Sequence, residues 1–352
     1  MAAKLISLFP FTFTLLRITN MNWSGPSFTP VDLPSFPDKI QYEDTVTMMG
    51  SCFAEHIAQR MTQLKYTVLQ NPFGILYNPA SLEESVRRIA NRQYYQPGEL
   101  VLQDGLYHSM DHHGSFSGTG KEEVVKSINT MMDTAYTLLS GSKFIFISPG
   151  TTWVYRYMAS GNIVGNCHKI PQTQFEKFKL SFEETCQAFD QVYQLIKSVS
   201  PNSNIIWTVS PVRHLRDGMI ANQQSKATLI LAADQMMKRY TDCFYFPAYE
   251  IMIDQLRDYR YYAPDMIHPS EEAVNIIWQI FRDQYLDERD KPLHSMIEKI
   301  RLGMQHRFLH NRKEAIHDFA TAQLDLIRKI QNLEPALDFS EESRYFSSLH
   351  KK

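Results

Sequence analysis

Five short apolar runs punctuate the chain: Thr45–Met49, Tyr66–Leu69, Lys143–Ser148, Asn204–Val209 and Cys243–Pro247. Each is bounded by turn-forming residues, as central strands of a parallel sheet covered on both faces would be. Between them, apolar positions recur at three- and four-residue steps, the spacing of one helix face. The first such stripe is Ala54, Ile57, Ala58, Met61 and Leu64. Others span Ser81–Ala90, Lys121–Leu139, Phe182–Val199, Asn222–Tyr240 and Glu271–Tyr285. Strand and helix in alternation predict an α/β layer fold with a mostly parallel sheet. In such sheets ligands bind at the carboxyl ends of the strands.

The pattern changes near Lys291. Two amphipathic stripes follow, one at Leu293, Ile297, Ile300 and Met304, the other at Ile316, Leu324, Ile327 and Ile330, with Asn311 and Arg312 as a turn. Residues 289–352 therefore read as a C-terminal helical extension, packed on a domain of residues 22–288 or, as the lesser alternative, used for association. The proline-rich stretch 22–44 reads as a lead-in lying across that domain. Residues 1–20 resemble a short signal-like apolar region. It lacks a small-x-small cleavage site, is interrupted by Pro10 and is too short for a membrane-spanning helix. They are expected to be an extension outside the fold. Translation from Met21 would favour the cytoplasm, and a working signal at 1–20 would favour export.

Composition narrows the function classes. The 352 residues are 43% hydrophobic and 21% charged, with a net charge of −2, so no basic field argues for nucleic acid. The 21 Phe, 18 Tyr and 4 Trp suit a large core or a groove for flat ligands such as sugars. The four cysteines are scattered, without a Cys-x-x-Cys pair, which argues against a zinc knuckle or redox motif. No cofactor is expected, and oligomeric state is not encoded in these patterns.

Two segments carry chemistry. Gly50-Ser51-Cys52-Phe53-Ala54 joins the first strand to the first helix. A helix N-terminus offers unpaired N–H groups and a dipole that favours negative charge, which suits a nucleophile that leaves an oxyanion nearby. Ser51 reads as that nucleophile or simply as the helix cap. Adjacent Cys52 is the alternative nucleophile, and is otherwise expected to turn toward the core. The second segment is Asp265-Met266-Ile267-His268, just before a helix. An Asp holding one imidazole nitrogen leaves the other free to take a proton from a nucleophile.

A serine after the first strand and an Asp-x-x-His before the last helix resemble the SGNH/GDSL hydrolase superfamily, and Gly-Ser-Cys-Phe-Ala resembles its GSCFA branch. The likeness extends through Asn71–Pro79, Pro149–Tyr155, Asn166–Lys169 and Ser210–Arg213, roughly residues 40–285. It implies a flavodoxin-like, three-layer α/β/α domain with Ser51 as nucleophile, His268 as base and Asp265 as orienter. It implies oxyanion donors at the N–H groups of Ser51 or Cys52 and of Gly74. The Gly-x-Asn-Asp block of wider relatives is replaced here by Gly150-Thr151-Thr152-Trp153, so either a Thr hydroxyl or Asn166 would supply the remaining donor or the oxyanion hole is weaker. Their Gly-Asp-Ser opening is Gly-Ser-Cys here.

Other polar positions are weighed beside these. Asn78, Asn166 and His168 suit hydrogen bonds to a carbohydrate or acyl group, or loop bracing. Arg213 could offer a cationic rim, whereas Arg216 and Asp217 read as a salt-bridged loop. Asn222, Gln223, Ser225 and Lys226 read as a solvated first helical turn. His108, Asp111, His112 and His113 could in principle bind metal, but their spacing suits a substrate-facing loop better, and a solvated or structural loop better still. The expected activity is hydrolysis of an O-acyl ester, with O-acetyl carbohydrate the leading substrate. The alternatives are O-acyl transfer by the same triad, or carbohydrate binding with weak catalysis.

Overall fold

A computed structural model describes residues 29–308 and 312–350. The expectations for residues 1–20 and for a turn at Asn311 lie outside them. Among the described residues the strands are β1 Thr45–Gly50, β2 Thr67–Gln70, β3 Val101–Gln103, β4 Leu106–His108, β5 Ser142–Ser148, β6 Trp153–Tyr157, β7 Ile163–Val164, β8 Phe175–Lys179, β9 Asn204–Trp207 and β10 Cys243–Tyr245. The helices are α1 Cys52–Gln63, α2 Pro79–Ala90, α3 Lys121–Ser140, α4 Phe182–Val199, α5 Met219–Arg239, the single turn α6 Ala248–Glu250, α7 Glu271–Tyr285, α8 Lys291–Met304, α9 Lys313–Leu333 and α10 Ser340–Leu349.

The five apolar runs form one parallel sheet in the order β10-β9-β5-β1-β2. Successive side chains of a strand point to opposite faces, and both faces are apolar here. Met48, Phe144, Phe146 and Ile206 pack with α1, α7 and the C-terminal helices. Met49, Ile145, Ile147, Ile205 and Trp207 pack with α2, α3, α4 and α5. The result is the three-layer α/β/α arrangement.

The C-terminal stripes bury Leu293, Ile297, Ile300, Ile327 and Ile330 in the same cluster as α1 and α7. Helix α10, which the sequence pattern does not predict, adds Phe346 and Leu349 to it. Lys65 pairs with Glu342 at 2.5 Å, and the Tyr66 hydroxyl meets His294 Nε2 at 2.9 Å. The lead-in from residue 29 onward docks too, its residues 22–28 lying outside the described ones: the Ile40 N–H donates to the Tyr285 carbonyl at 2.7 Å, and Phe36 packs edge-on against Phe244.

Two small antiparallel sheets are also unpredicted. One is the β3-β4 hairpin; the other, β7-β6-β8, is built from the segment after Thr152. It stands beyond the carboxyl end of β5 and walls one side of the region where polar residues gather.

Candidate functional site

The chain leaves β1 for β2 on one side and later returns to β5 on the other, so the sheet order reverses between β1 and β5. A crevice at such a switch point is where a ligand fits. Gly50 ends β1 at φ +130°, and a Cβ there would sit 2.2 Å from the Ser148 carbonyl oxygen. Only glycine permits this close crossing.

The turn decides which of the next two side chains faces outward. Ser51 turns inward: its N–H donates to the Ser148 carbonyl at 2.9 Å and its hydroxyl meets the Ser148 hydroxyl at 3.1 Å. Only 1% of the residue is exposed, and its side chain does not cap α1. The Ser51 N–H expected to face an oxyanion is therefore occupied, and no hydrogen bond joins Ser51 to His268.

Cys52, expected to turn toward the core, is instead partly exposed at the first position of α1. Its own N–H and that of Phe53 approach the thiol, and Lys226 lies near enough to act on it electrostatically. Burial dominates and pushes the thiol above its usual range; Glu55 adds to this, while the two N–H groups and Lys226 oppose it. The thiol is thus protonated at neutral pH and needs a base.

Asp265 and His268 sit on the loop before α7. Asp265 Oδ1 accepts from the N–H of Ile267 at 2.9 Å and of His268 at 3.0 Å, and Oδ2 lies 2.7 Å from His268 Nδ1. A carboxylate only accepts, so in the neutral imidazole Nδ1 carries the hydrogen and Nε2 keeps the lone pair. The His268 side-chain bond, then the two backbone N–H groups, hold the Asp265 carboxyl down at about 2. Arg213 secures the loop: its N–H donates to the Ile267 carbonyl at 3.1 Å and Nη1 to Met266 at 3.2 Å, while its guanidinium lies 3.8 Å from the Tyr262 ring centre.

This loop borders α1. His56, one turn beyond Cys52, lines a polar cleft together with Pro269 and Glu271. The His56 imidazole is lowered first by burial and in smaller part by the charges of Arg60 and His268. Among the described residues His268 makes no hydrogen bond to Ser51 or Cys52, so the pair and the turn share a border without a direct link.

The expected substrate-facing residues are largely occupied within the fold. The Gly74 N–H donates to the Asn71 carbonyl at 2.7 Å, which removes it as an oxyanion donor. Asn78 caps α2 through the Ser81 N–H at 2.8 Å. The N–H groups of Gly150 and Thr151 both donate to the Tyr77 carbonyl, at 2.7 and 3.1 Å. The Thr151 and Thr152 hydroxyls meet Ser225 Oγ at 3.2 and 3.1 Å, and both residues are buried. Asn166 Oδ1 accepts from the His168 N–H at 2.9 Å, and His168 Nε2 meets the Ser109 carbonyl at 2.8 Å. These residues brace the walls of the crevice because strand-end loops this buried must satisfy their own polar groups.

A solvated first turn at Asn222–Lys226 is also overturned. Helix α5 begins at Met219, so Asn222, Ser225 and Lys226 share one face, and that face is buried. Lys226 is 1% exposed and donates to the Ser210 carbonyl at 2.7 Å. Burial lowers its ammonium to about 7, with Cys52 pulling the other way. Asp217 pairs with Lys177 and, at 3.2 Å, with His214, whereas Arg216, expected in the same salt-bridged loop, forms no ion pair among the described residues.

His108 and His112 brace their loop through Ser117 and Ser109, and His112 stacks on Phe73 with ring centres 4.0 Å apart. Among the described residues no group of three or more His, Cys, Asp or Glu side chains is arranged to hold a metal ion. No described helix is long and apolar enough to cross a membrane.

Comparison with known proteins places this geometry in context. The profile of the GSCFA family matches residues 45–281, from the first strand to the last helix of the parallel-sheet unit. No match is found among curated proteins.

Proposed function

This chain belongs to the GSCFA family, and from that premise we propose that it is an acyl-transfer enzyme that hydrolyses an O-acyl ester, with Cys52 as nucleophile and Asp265–His268 as its acid–base pair. One observation carries the assignment: at the switch point Ser51 is folded inward against Ser148, and Cys52 stands at the uncapped start of α1. The resemblance to SGNH hydrolases supports it. Their Gly-Asp-Ser opening matches Gly50-Ser51-Cys52, which sets Cys52 at the third position, where those enzymes carry the serine.

The reaction follows from the groups in place. His268 Nε2 takes the thiol proton as the sulfur attacks the ester carbonyl, and Asp265 stabilises the imidazolium. The oxyanion is received by the N–H groups of the first turn of α1, those of Cys52 and Phe53, which turn from the sulfur to the oxygen as the sulfur bonds to carbon. Collapse expels the alcohol, which takes the proton from His268, and leaves a thioester on Cys52. Water then gives a proton to Nε2 as it attacks, releasing the acid and restoring the thiol. The preferred substrate is a small O-acyl ester, O-acetyl carbohydrate first among them.

The test is hydrolysis of p-nitrophenyl acetate by purified protein. Cys52→Ala should abolish turnover and Ser51→Ala should retain it. The reverse pattern returns the role to Ser51, and equal turnover by all three proteins rejects both.

One observation favours a second reading, carbohydrate binding with weak catalysis. The N–H groups of Ser51, Gly74, Gly150 and Thr151 are all bonded within the fold, which leaves the oxyanion only the helix terminus. A protein of this kind would bind acylated sugars and show no turnover above background.

A further inference from the structure

Helix α5 delivers a lysine to the interior with no acid beside it. Lys226 is fully enclosed, its side chain donates to the Ser210 carbonyl at 2.7 Å, and no carboxylate pairs with it among the described residues. Ser210 follows β9, and its own N–H is tied to the Pro149 carbonyl at 2.9 Å, so the acceptor is fixed. Ser210, Gly150 and Tyr77 lie against one another: a Cβ on Gly150 would stand 3.6 Å from the Tyr77 ring and 3.7 Å from Ser210 Cβ. Tyr77 and Lys226 each interact electrostatically with Cys52. Gly150 donates its N–H to the Tyr77 carbonyl at 2.7 Å, and Leu76, next to Tyr77, donates its own to the Gly50 carbonyl at 2.9 Å, so the ammonium lies among the strand-end loops beside the β1–α1 turn that carries Cys52.

Burying a cation without a counter-charge is costly, which is why burial brings the Lys226 ammonium down to about 7 and leaves it poised between amine and ammonium near neutral pH. The charge becomes favourable only when a negative partner forms next to it. We propose that Lys226 is a positioning residue whose ammonium is the counter-charge of the Cys52 thiolate, lowering the energy of the anion that attacks the ester. This rests on the assignment of Cys52 as nucleophile.

The groups facing Lys226 agree with that role. Cys52 approaches from α1, His214 from the loop after β9 and the Tyr249 ring from the segment after β10, with 5.6 Å from Nζ to the ring centre. Burial raises the Tyr249 hydroxyl to about 12 and lowers the His214 imidazole, so both are neutral around pH 7. Lys226 is left to respond to Cys52. When Cys52 ionises, its proton passes to His268 Nε2; Lys226 keeps its own protons and gains a partner.

The test is the pH dependence of Cys52 alkylation by iodoacetamide, followed by mass spectrometry of the peptide that holds it. Lys226→Met should move the midpoint upward by about one pH unit and slow alkylation at pH 7 about tenfold. Lys226→Arg, which keeps the charge, should restore most of the rate. A folded Lys226→Met protein with the wild-type profile overturns the proposal. A second measurement leaves position 226 untouched: the titration of Lys226 followed by NMR of ¹³C-lysine-labelled protein. Cys52→Ala should shift that titration downward, and an unchanged titration overturns the proposal as well. Neither readout uses ester turnover. Loss of hydrolysis in Cys52→Ala with no effect of Lys226 rejects this inference alone. An electrostatic effect without any need for Cys52 in turnover rejects the assigned nucleophile instead.

Discussion

The hydroxyl of Ser51 lies 3.1 Å from that of Ser148, across the two strands where the sheet order reverses, and both residues are buried. A serine held this way ties β1 to β5. Ser51→Ala should therefore cost about 1 kcal/mol of stability, the usual worth of a buried hydrogen bond. Ester hydrolysis should stay within about threefold of wild type, whereas Cys52→Ala should lose about a thousandfold. Urea unfolding and initial rates measured on the same preparations check both halves.

Gly50 makes that crossing possible. At φ +130°, with its missing Cβ 2.2 Å from a carbonyl oxygen, Gly50→Ala meets backbone on both counts. The expected loss is about 3 kcal/mol or more, enough to lower soluble yield. Thermal unfolding of any recovered protein measures it.

The Asp265 carboxyl is held at about 2, first by the His268 side chain and then by the N–H groups of His268 and Ile267. Its folded-state value is lower than its unfolded one. Its contribution is therefore present above about pH 4 and is lost as pH falls through about 2. The backbone amide resonances of Ile267 and His268 should move with a midpoint near pH 2. Asp265→Asn should remove that step and lower turnover with little change in KM.

Buried imidazoles set the acid limit of the fold. His112 is lowered to about 3 and His168 and His294 to about 4, in each case chiefly by burial. The unfolded chain protonates them near pH 6.5 and the folded chain resists. Stability is thus intact above about pH 6.5 and declines below it until the folded values are reached. The slope is about 1.4 kcal/mol per pH unit for each imidazole still neutral in the fold. Melting temperatures recorded from pH 7 to pH 4 should fall steadily, and His168→Gln should flatten the decline.

Arg213 links the Asp265–His268 loop to the scaffold through the Ile267 and Met266 carbonyls and the Tyr262 ring. Arg213→Ala should loosen the loop and cut kcat about tenfold while leaving the melting temperature nearly unchanged, because small misplacements of a catalytic group are costly. Steady-state kinetics beside a melting curve separate the two effects.

The sheet was legible because its five strands are short apolar runs, and each observed strand lies within about a residue of its run at the start. The Asp265–His268 pair was legible because an Asp and a His three residues apart, just before a helix, can meet within one turn, as they do here at 2.7 Å. The choice between Ser51 and Cys52 was not. Period-two alternation assigns faces along β1, but Gly50 at positive φ breaks the alternation where it matters. Lys226 was missed for a different reason. Lysine ordinarily reads as solvated, and α5 starts three residues before its apolar pattern, behind Gly218 at φ +85°. The loop residues Gly74, Asn78, Gly150 and Thr151 have the right chemistry for ligand contacts. Only the folded structure reveals that their groups are already spent on neighbouring backbone.

The central claim is that sulfur at position 52, and not oxygen at position 51, receives the acyl group. The direct measurement is an acid quench of the protein during turnover of p-nitrophenyl acetate, with peptide fragmentation to locate the added acetyl. The account predicts an acetyl thioester on Cys52, removed by neutral hydroxylamine and absent from Cys52→Ala. An acetyl group on Ser51, or its persistence in Cys52→Ala at the same rate, would contradict it.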